Sequence, residues 1–365
     1  MIQGKTIAVV VPAYNEELQI GIVIDTMPLF VDRIIIVNDC SSDNTANIIK
    51  NYITLSKNKN TETVILPKIT APVETFFNKA DLLLMKIRKN EEKYYQPYEI
   101  YNDNDSDRII LINNLKNSKV GGAIKIGYKW CRDHDICCTA VMAGDAQMDP
   151  DELINICMPV INEEIDYVKG NRLSHKAARH MIPFKRYFGN SVLSAMTKIS
   201  SGYWRISDTQ TGYTAISLNA LNRLDIYDIY NNYGMPNDML IKLNIAHCTL
   251  REIRIKPVYG VGEKSKMKIL KVIPTVSCLL VKGFFKRIFF KYLINDFHPI
   301  FIFYFSSLIS FFSSIYFLIY IIMGLYQKFV STGTYSGFFT SFIGFILFFG
   351  FGMWFDVMDN ERLYK

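Results

Sequence analysis

The chain has 365 residues, 50% of them hydrophobic, with 25 Phe, 22 Tyr and a formal net charge of +7. That length builds a full core and two to three structural units, which excludes a small disulfide scaffold, and 21% charged with 14% aromatic residues excludes a mainly disordered chain. The mean hydropathy of +0.11 is high for a soluble enzyme and points to membrane segments; a basic excess alone fits nucleic acid, an anionic membrane or a phosphorylated substrate.

In chain order, IAVVV (7–11) and IIIV (34–37) are short β-branched runs that end in polar turn residues, with a helical stretch starting near Glu16 between them. This is a βαβ pattern with a parallel sheet. The N-terminal segment reads as a buried strand and not as a signal peptide, because acidic residues follow the apolar run at once. Residues 51–107 interrupt the rhythm with KNKN, RKNEEKYY and YNDNDSD, around an amphipathic helix at Val73–Lys89. They read as a polar insertion: a lid, a partner surface or a tolerated excursion. A strand is expected at Ile109–Ile112, a helix from Gly122 to about Arg132, and a strand at Cys138–Met142 that ends at Gly144-Asp145. Open α/β sheets bind ligands at the carboxyl ends of such strands. The seven cysteines form no CxxC pair, so reduced thiols in a cytosolic compartment are expected and a structural zinc is not.

The apolar mass lies at the far end. Twenty of the 25 Phe follow residue 283, and no charged residue occurs from Pro299 to Gln327 or from Phe329 to Phe355. Each stretch exceeds the roughly 20 residues that span a bilayer as a helix. Lys264, Lys266, Lys268, Lys271, Lys282, Lys286, Arg287 and Lys291 precede them with no acid among them, a block of +8, so the rest of the chain sums to −1. By the positive-inside rule the N-terminal part and the C-terminus are both cytoplasmic. VKGFFKRIFFKYLI alternates apolar and basic faces and reads as an amphipathic helix lying on the membrane surface. The expected organisation is a catalytic domain over 1–262, a basic juxtamembrane segment over 263–297, two transmembrane helices over 298–356 and a cytoplasmic tail over 357–365. Basic residues confined to the membrane flank argue against a nucleic-acid partner.

Three acidic clusters stand at predicted strand ends: Asn38-Asp39 with Asp43; Asp145 and Asp149 in GDAQMDP; and Asp208 in SDTQTGY with Asp238 in PND. Each Asp alone also fits a helix cap or turn. Together they suit a nucleoside diphosphate, whose charge calls for a divalent cation on hard oxygen ligands.

The succession VVVPAYNEE, VNDCSSDNT, GGAIKIGY, MAGDAQMDP, VKGNR and DTQTGY resembles the family 2 inverting glycosyltransferases of GT-A fold. It is most similar to the membrane-attached branch that includes the polyprenyl-phosphate (dolichol-phosphate) sugar synthases. The resemblance covers about residues 5–270 apart from the insertion. It implies that Pro12, Tyr14, Glu16 and Asp39 hold the base and ribose. Asp145 and Gln147 would close the metal and diphosphate motif; its first Asp is Ala143 here, which leaves Asp145 as the main ligand for Mg²⁺ or Mn²⁺. Asp149 either assists or caps the helix at 150–156. Gly121-Gly122 fit a turn whose following helix N-terminus faces the phosphates, with Gly122 counted among the nucleotide contacts. Arg172 and Asp208 line the acceptor side, Arg172 as a fork for a phosphate, and Asp238 stands where related transferases carry an acid, sometimes the general base. Gly260 occupies the place of a family Arg, so Lys264 or Lys266 would bind the acceptor phosphate.

The implied function is inverting transfer of a sugar from a UDP- or GDP-sugar to a polyprenyl phosphate at the cytoplasmic leaflet, by an integral protein of a prokaryotic plasma membrane. The partners are the nucleotide sugar, the lipid-linked acceptor, membrane lipids and, through packing of the spans, another copy of the chain. Two alternatives stay open: transfer to a hydroxyl of a lipid-linked saccharide or glycan precursor, with Asp238 as base, and a non-catalytic membrane scaffold built on a degenerate transferase domain.

Overall fold

The computed structural model describes residues 1–58, 66, 74–102, 107–176, 178, 184–258, 269–326 and 329–365. One mixed sheet organises the catalytic part. Its strands in chain order are β1 (Ile7–Ala13), β2 (Arg33–Asn38), β3 (Tyr98–Ile100), β4 (Ile109–Asn114), β5 (Cys138–Val141), β6 (Tyr167–Asn171), β7 (Thr214–Ser217) and β8 (Leu250–Arg254). They are ordered β3-β4-β2-β1-β5-β7-β6-β8 across the sheet. The four inner strands β4, β2, β1 and β5 are parallel, β7 is antiparallel to both β5 and β6, and β8 runs parallel to β6. The mixed α/β sheet expected from the motifs is the one observed.

The apolar runs are continuous because both faces of these strands are covered. On β1, Ala8 and Val10 point into one core with Ile35, Val37, Ile110 and Ile112. Ile7, Val9 and Val11 point into the other with Ile34, Ile36 and Leu111. The first face is covered by α4 (Lys119–Asp133), α7 (Leu218–Arg223) and α8 (Met235–Ile245); the second by α1 (Ile20–Asp25), α2 (Thr45–Asn58) and α5 (Leu153–Asn162). Gly127 of α4 has its Cα hydrogen against Val10, where a Cβ would lie 2.3 Å from Cγ1, so the helix rides directly on β1.

Several boundaries differ from the sequence reading for local reasons. The first helix begins at Ile20 and not near Glu16, because Asn15 takes a left-handed φ of 54° and the 14–19 stretch is stitched to the loop after β2. The helix expected at Val73–Lys89 runs as α3 (Lys79–Glu91), and it contributes no buried residue. Within 51–107, α2 continues to Asn58, Tyr95 enters the main core, and β3 adds an antiparallel edge to β4. All seven cysteines are free.

Beyond α6 (Phe184–Ser201), the chain reaches α9 (Ile269–Phe289), which docks on the catalytic domain through Val276 and Leu280 against Ile241, Leu193 and Met196. One wider helical turn, Phe290–Asn295, leads to α10 (Pro299–Tyr326) and α11 (Thr332–Glu361). These last two are long and apolar enough to cross a bilayer, with 18-residue stretches of mean hydropathy 2.2 and 1.9. They form a hairpin in which Gly337, Gly344 and Gly352 lie on one stripe of α11: a Cβ at Gly337 would come within 2.6 Å of Phe317, and at Gly352 within 3.2 Å of Tyr304. Small residues of this kind let apolar helices approach closely. The tail then returns to the sheet. The Leu250 amide donates to Leu363 O at 2.7 Å, the Lys365 amide donates to Leu250 O at 3.0 Å, and Leu363 is buried in the main core.

The basic block is not uniformly surface-facing, which corrects the amphipathic reading. Val281, Phe285, Phe289 and Phe290 are exposed on α9 and its extension, and Lys282 and Lys286 are exposed too, but Arg287 and Lys291 are wholly buried. A helical wheel separates apolar from basic positions; it does not say which basic positions find internal carboxylates. Lys264, Lys266 and Lys268 lie outside the described residues.

Candidate active site

The parallel strands end at one level. Ala13 pairs with Asn38, Asn38 with Asn113, and the Gly144 amide beyond β5 donates to Pro12 O at 3.2 Å. Loops after β1, β2, β4 and β5 therefore share one edge, the expected ligand edge of an open α/β sheet. There Asn15 N donates to Ser41 Oγ (3.0 Å), Glu16 N to Thr45 Oγ1 (2.9 Å) and Glu17 N to Asp43 Oδ2 (3.2 Å). Asp43 also accepts from the amide and hydroxyl of Thr45, so it caps α2 and stitches the loops together. Tyr14 is 39% exposed beside this seam, and Pro12 and Glu16 are half-buried.

Asp39 is the best-anchored acid at this edge. It is buried, and its Oδ1 accepts from Asn114 Nδ2 (2.8 Å), Ser118 N (2.7 Å) and Ser118 Oγ (2.7 Å). Asn114 and Ser118 were missed by sequence reasoning; the polar run NNLKNS after a strand was the available signal. The Gly-Gly pair is not a turn but the first turn of α4. A Cβ at Gly121 would meet Tyr230 O at 2.1 Å, and the Gly121 amide donates to Asn231 O at 2.8 Å. With Ser118 N on Asp39 and Lys119 N on Asn117 Oδ1, three amides at this helix start are engaged within the protein. Gly122 instead lines a small cleft with Ser118, Lys125, Tyr95 and Asn231.

After β5, Asp145 Oδ1 accepts from Gln147 N (3.1 Å) in a tight turn through Ala146, whose φ is 57°. Asp145 and Gln147 are half-buried. Asp149 caps the next helical turn by accepting from Asp151 N (3.0 Å) and pairs with Lys256 (3.0 Å), which, against the opposing effect of burial, holds its carboxyl below the usual range. Of its two readings, the cap is the one its contacts realise. The 145–149 loop lies on the TQTGY loop: Tyr213 OH donates to Asp149 O at 2.9 Å, and a Cβ at Gly212 would touch Met148. No cluster of three His, Cys, Asp or Glu suited to a metal occurs among the described residues. The oxygen donors of Asp145 and Gln147 fit a hard cation that takes the rest of its coordination from a diphosphate and water.

Arg172 and Asp208 meet directly. The guanidinium gives Asp208 two bonds, from Nε to Oδ2 (2.9 Å) and Nη2 to Oδ1 (3.2 Å), and the Arg172 amide adds a third at 3.1 Å. Asp208 is fully buried; burial opposes its ionisation, but Arg172 outweighs that and holds its carboxyl below the usual range. Behind the pair, Glu252 Oε1 accepts the amides of Ser207 and Asp208, and Oε2 accepts from Asn171. Lys169, wholly buried, donates to Thr211 O; burial brings its ammonium down to about 8 against the pull of Asp208 and Glu252. Lys169 and Glu252 were also missed. Charges inside the strands YVKGN and LREIR were the clue, since a buried charge needs a partner.

Asp238 sits in the first turn of α8 and accepts on Oδ2 from Tyr230 N (2.8 Å) and from Lys242. It thereby holds the 230–231 loop that packs on Gly121. Its neighbour Asn237 accepts from Gln210 Nε2 (2.9 Å), linking α8 to the TQTGY loop. Pro12 of β1 and the loops after β1, β2 and β5, with Tyr14, Glu16, Asp39, Asp145 and Gln147, thus lie along one edge, and Arg172 after β6, Asp208 before the TQTGY loop and Asp238 of α8 are tied to the neighbouring loops.

This is the layout of a nucleotide-sugar glycosyltransferase. Residues 8–68 match the model of "Glycosyl transferase family 2". The chain is 27% identical over 256 residues to the UDP-N-acetylglucosamine–dolichyl-phosphate N-acetylglucosaminyltransferase of Methanococcus voltae, a match covering 70% of this chain and 86% of that one. It is 23% identical over 192 residues to an uncharacterized protein of Methanocaldococcus jannaschii, covering 50% and 79%. Among solved structures, glucosyl-3-phosphoglycerate synthase of Mycobacterium tuberculosis aligns with a TM-score of 0.47 at 15% identity, covering 78% of this chain and 80% of that one. The chain is a nucleotide-sugar glycosyltransferase whose N-terminal part is similar to family 2.

Proposed function

We propose that the protein transfers a sugar, with inversion, from a nucleoside diphosphate sugar to a polyprenyl phosphate at the cytoplasmic membrane surface. One observation carries this reading. A catalytic domain related over most of its length to a dolichyl-phosphate N-acetylglucosaminyltransferase is docked through α9 onto a hairpin of two bilayer-length helices. The C-terminal tail pairs with β8, so the tail and the transferase domain occupy the same side; the basic residues before the spans favour the cytoplasmic side.

Asp39, anchored on one oxygen, receives the nucleoside together with Pro12, Tyr14 and Glu16. Asp145 and Gln147 would hold Mg²⁺ or Mn²⁺ against the diphosphate; when bound, the cation offsets the charge that develops on the leaving group. Arg172 offers its fork to the incoming phosphate from its pairing with Asp208, with Lys169 remaining as the buried counter-charge. The basic stretch containing Lys264 and Lys266 supplies further phosphate contacts. A phosphate acceptor is anionic at neutral pH and needs no base. The structure favours it over a hydroxyl acceptor in one respect: Asp238, the candidate base, has Oδ2 committed to Lys242 and the Tyr230 amide.

The test uses purified protein in nanodiscs with UDP-N-acetylglucosamine and other UDP- and GDP-sugars, offered polyprenyl phosphate or polyprenol. The expected product forms only from the phosphate and releases its sugar in mild acid. Transfer to hydroxyl acceptors alone would overturn the proposal.

A further inference from the structure

The junction between the apolar hairpin and the catalytic domain is a buried charged cluster. Arg287 near the end of α9 and Asp356 in the closing turns of α11 are both fully buried, and guanidinium meets carboxylate through two parallel bonds of 2.7 and 2.9 Å. Arg287 also donates to Ser200 O (2.9 Å) and Ile199 O (3.1 Å), carbonyls at the C-terminal end of α6, where the helix dipole favours a cation. The chain leaves α6 through Gly202 at φ +76°, and a Cβ there would lie 2.7 Å from Arg287 Nη1. Tyr292 OH donates to Asp356 Oδ1 at 2.6 Å. Lys291 reaches Asn244 of α8 and Asp359 of α11, both at 3.1 Å, and Asn244 Nδ2 donates to Asn360 Oδ1 at 2.7 Å. Two catalytic-domain helices, the juxtamembrane helix and the near end of a membrane-length helix therefore converge on one set of directional bonds.

A buried ion pair is a poor source of stability, because desolvation offsets its attraction and an apolar pair of similar volume often serves as well. What a forked, fully satisfied pair supplies is a single relative orientation. We propose that the Arg287–Asp356 cluster is a positioning device: it fixes the height and tilt of the nucleotide site above the bilayer so that the donor meets an acceptor held in the membrane. These residues touch no reacting atom and act through the domain they orient. The part concerning a membrane-borne acceptor rests on the transfer proposed above.

The test compares wild type with Arg287→Met/Asp356→Leu, which replaces the pair by apolar groups, and with the milder Tyr292→Phe, all as full chains in nanodiscs. Energy transfer from a bound fluorescent UDP analogue to a headgroup-labelled lipid reads the height of the site. The expected result is a narrow distribution in wild type and a broadened, shifted one in the double variant, with UDP affinity within about twofold. KM for nanodisc-embedded polyprenyl phosphate rises about tenfold or more, while kcat on a short water-soluble prenyl phosphate stays unchanged. An unaltered height and KM in both variants would overturn the proposal, as would an equal loss on embedded and soluble acceptors. If the double variant does not fold, Tyr292→Phe decides on the same readouts. If wild type transfers to no prenyl phosphate, the acceptor assignment falls, and the height measurement alone decides the positioning role.

Discussion

Asp39→Asn isolates the contribution of one oxygen to donor binding. Three internal donors converge on Asp39 Oδ1, from Asn114 Nδ2 and from the amide and hydroxyl of Ser118, all within 2.8 Å. Oδ2 takes none of these bonds. Asparagine has nearly the same shape, and its carbonyl oxygen can keep all three donors, so the fold loses only charge assistance, about 1 kcal/mol. At the other position the substitution puts an NH₂ where an acceptor stood. A hydrogen bond to a charged group contributes about 1.5–3 kcal/mol, and about 1.4 kcal/mol is tenfold in affinity. UDP binding, measured by calorimetry, should therefore weaken by roughly 10- to 150-fold, with little change in thermal midpoint. Ser118→Ala is the control, since it removes one internal donor and leaves Oδ2 as it was; it should cost less than the Asp39 change. A folded Asp39→Asn protein that binds UDP like wild type would refute the nucleoside role of Asp39.

Other outcomes follow from the same geometry. Asp145→Asn should lower Mn²⁺-supported transfer by about 10²- to 10³-fold without lowering the thermal midpoint; a chain acting only as a scaffold would show no transfer to lose. Arg172→Met leaves the fully buried Asp208 without its fork and should cost about 3 kcal/mol in denaturant titration at pH 7. Asp208's carboxyl lies below its ordinary value of 3.8 in the native fold, so its contribution is present above that value and is lost as pH falls through the native one. The variant's deficit should accordingly shrink toward acid pH, and a pH-independent deficit would contradict the assignment. Gly127→Ala places a Cβ 2.3 Å from Val10 Cγ1 and should destabilise by about 1–3 kcal/mol, visible as a lower thermal midpoint.

The inner sheet was legible because β1, β2, β4 and β5 are β-branched runs buried on both faces, and each ends in the polar residues that later form the site. The outer strands were not. Tyr98–Ile100 is three residues long, and YVKGN and LREIR carry charges whose partners, Asp208 and Asn171, come from distant parts of the chain. Asp39, Asp145, Arg172, Asp208 and Asp238 were visible as residues, but their pairings depend on tertiary contacts. Nothing in the sequence says that the Arg172 fork closes on Asp208 or that Asp238 binds Lys242. The same holds for Arg287 and Lys291, which in sequence belong to one basic stripe and in the fold turn inward to Asp356 and Asp359.

Tandem mass spectrometry identifies the lipid product that the purified protein makes in nanodiscs from polyprenyl phosphate and a panel of UDP- and GDP-sugars. The expected product carries one sugar joined to the polyprenyl chain through a single phosphate. A sugar joined to a lipid-linked saccharide hydroxyl, with polyprenyl phosphate left unmodified by every donor, would contradict the proposed transfer.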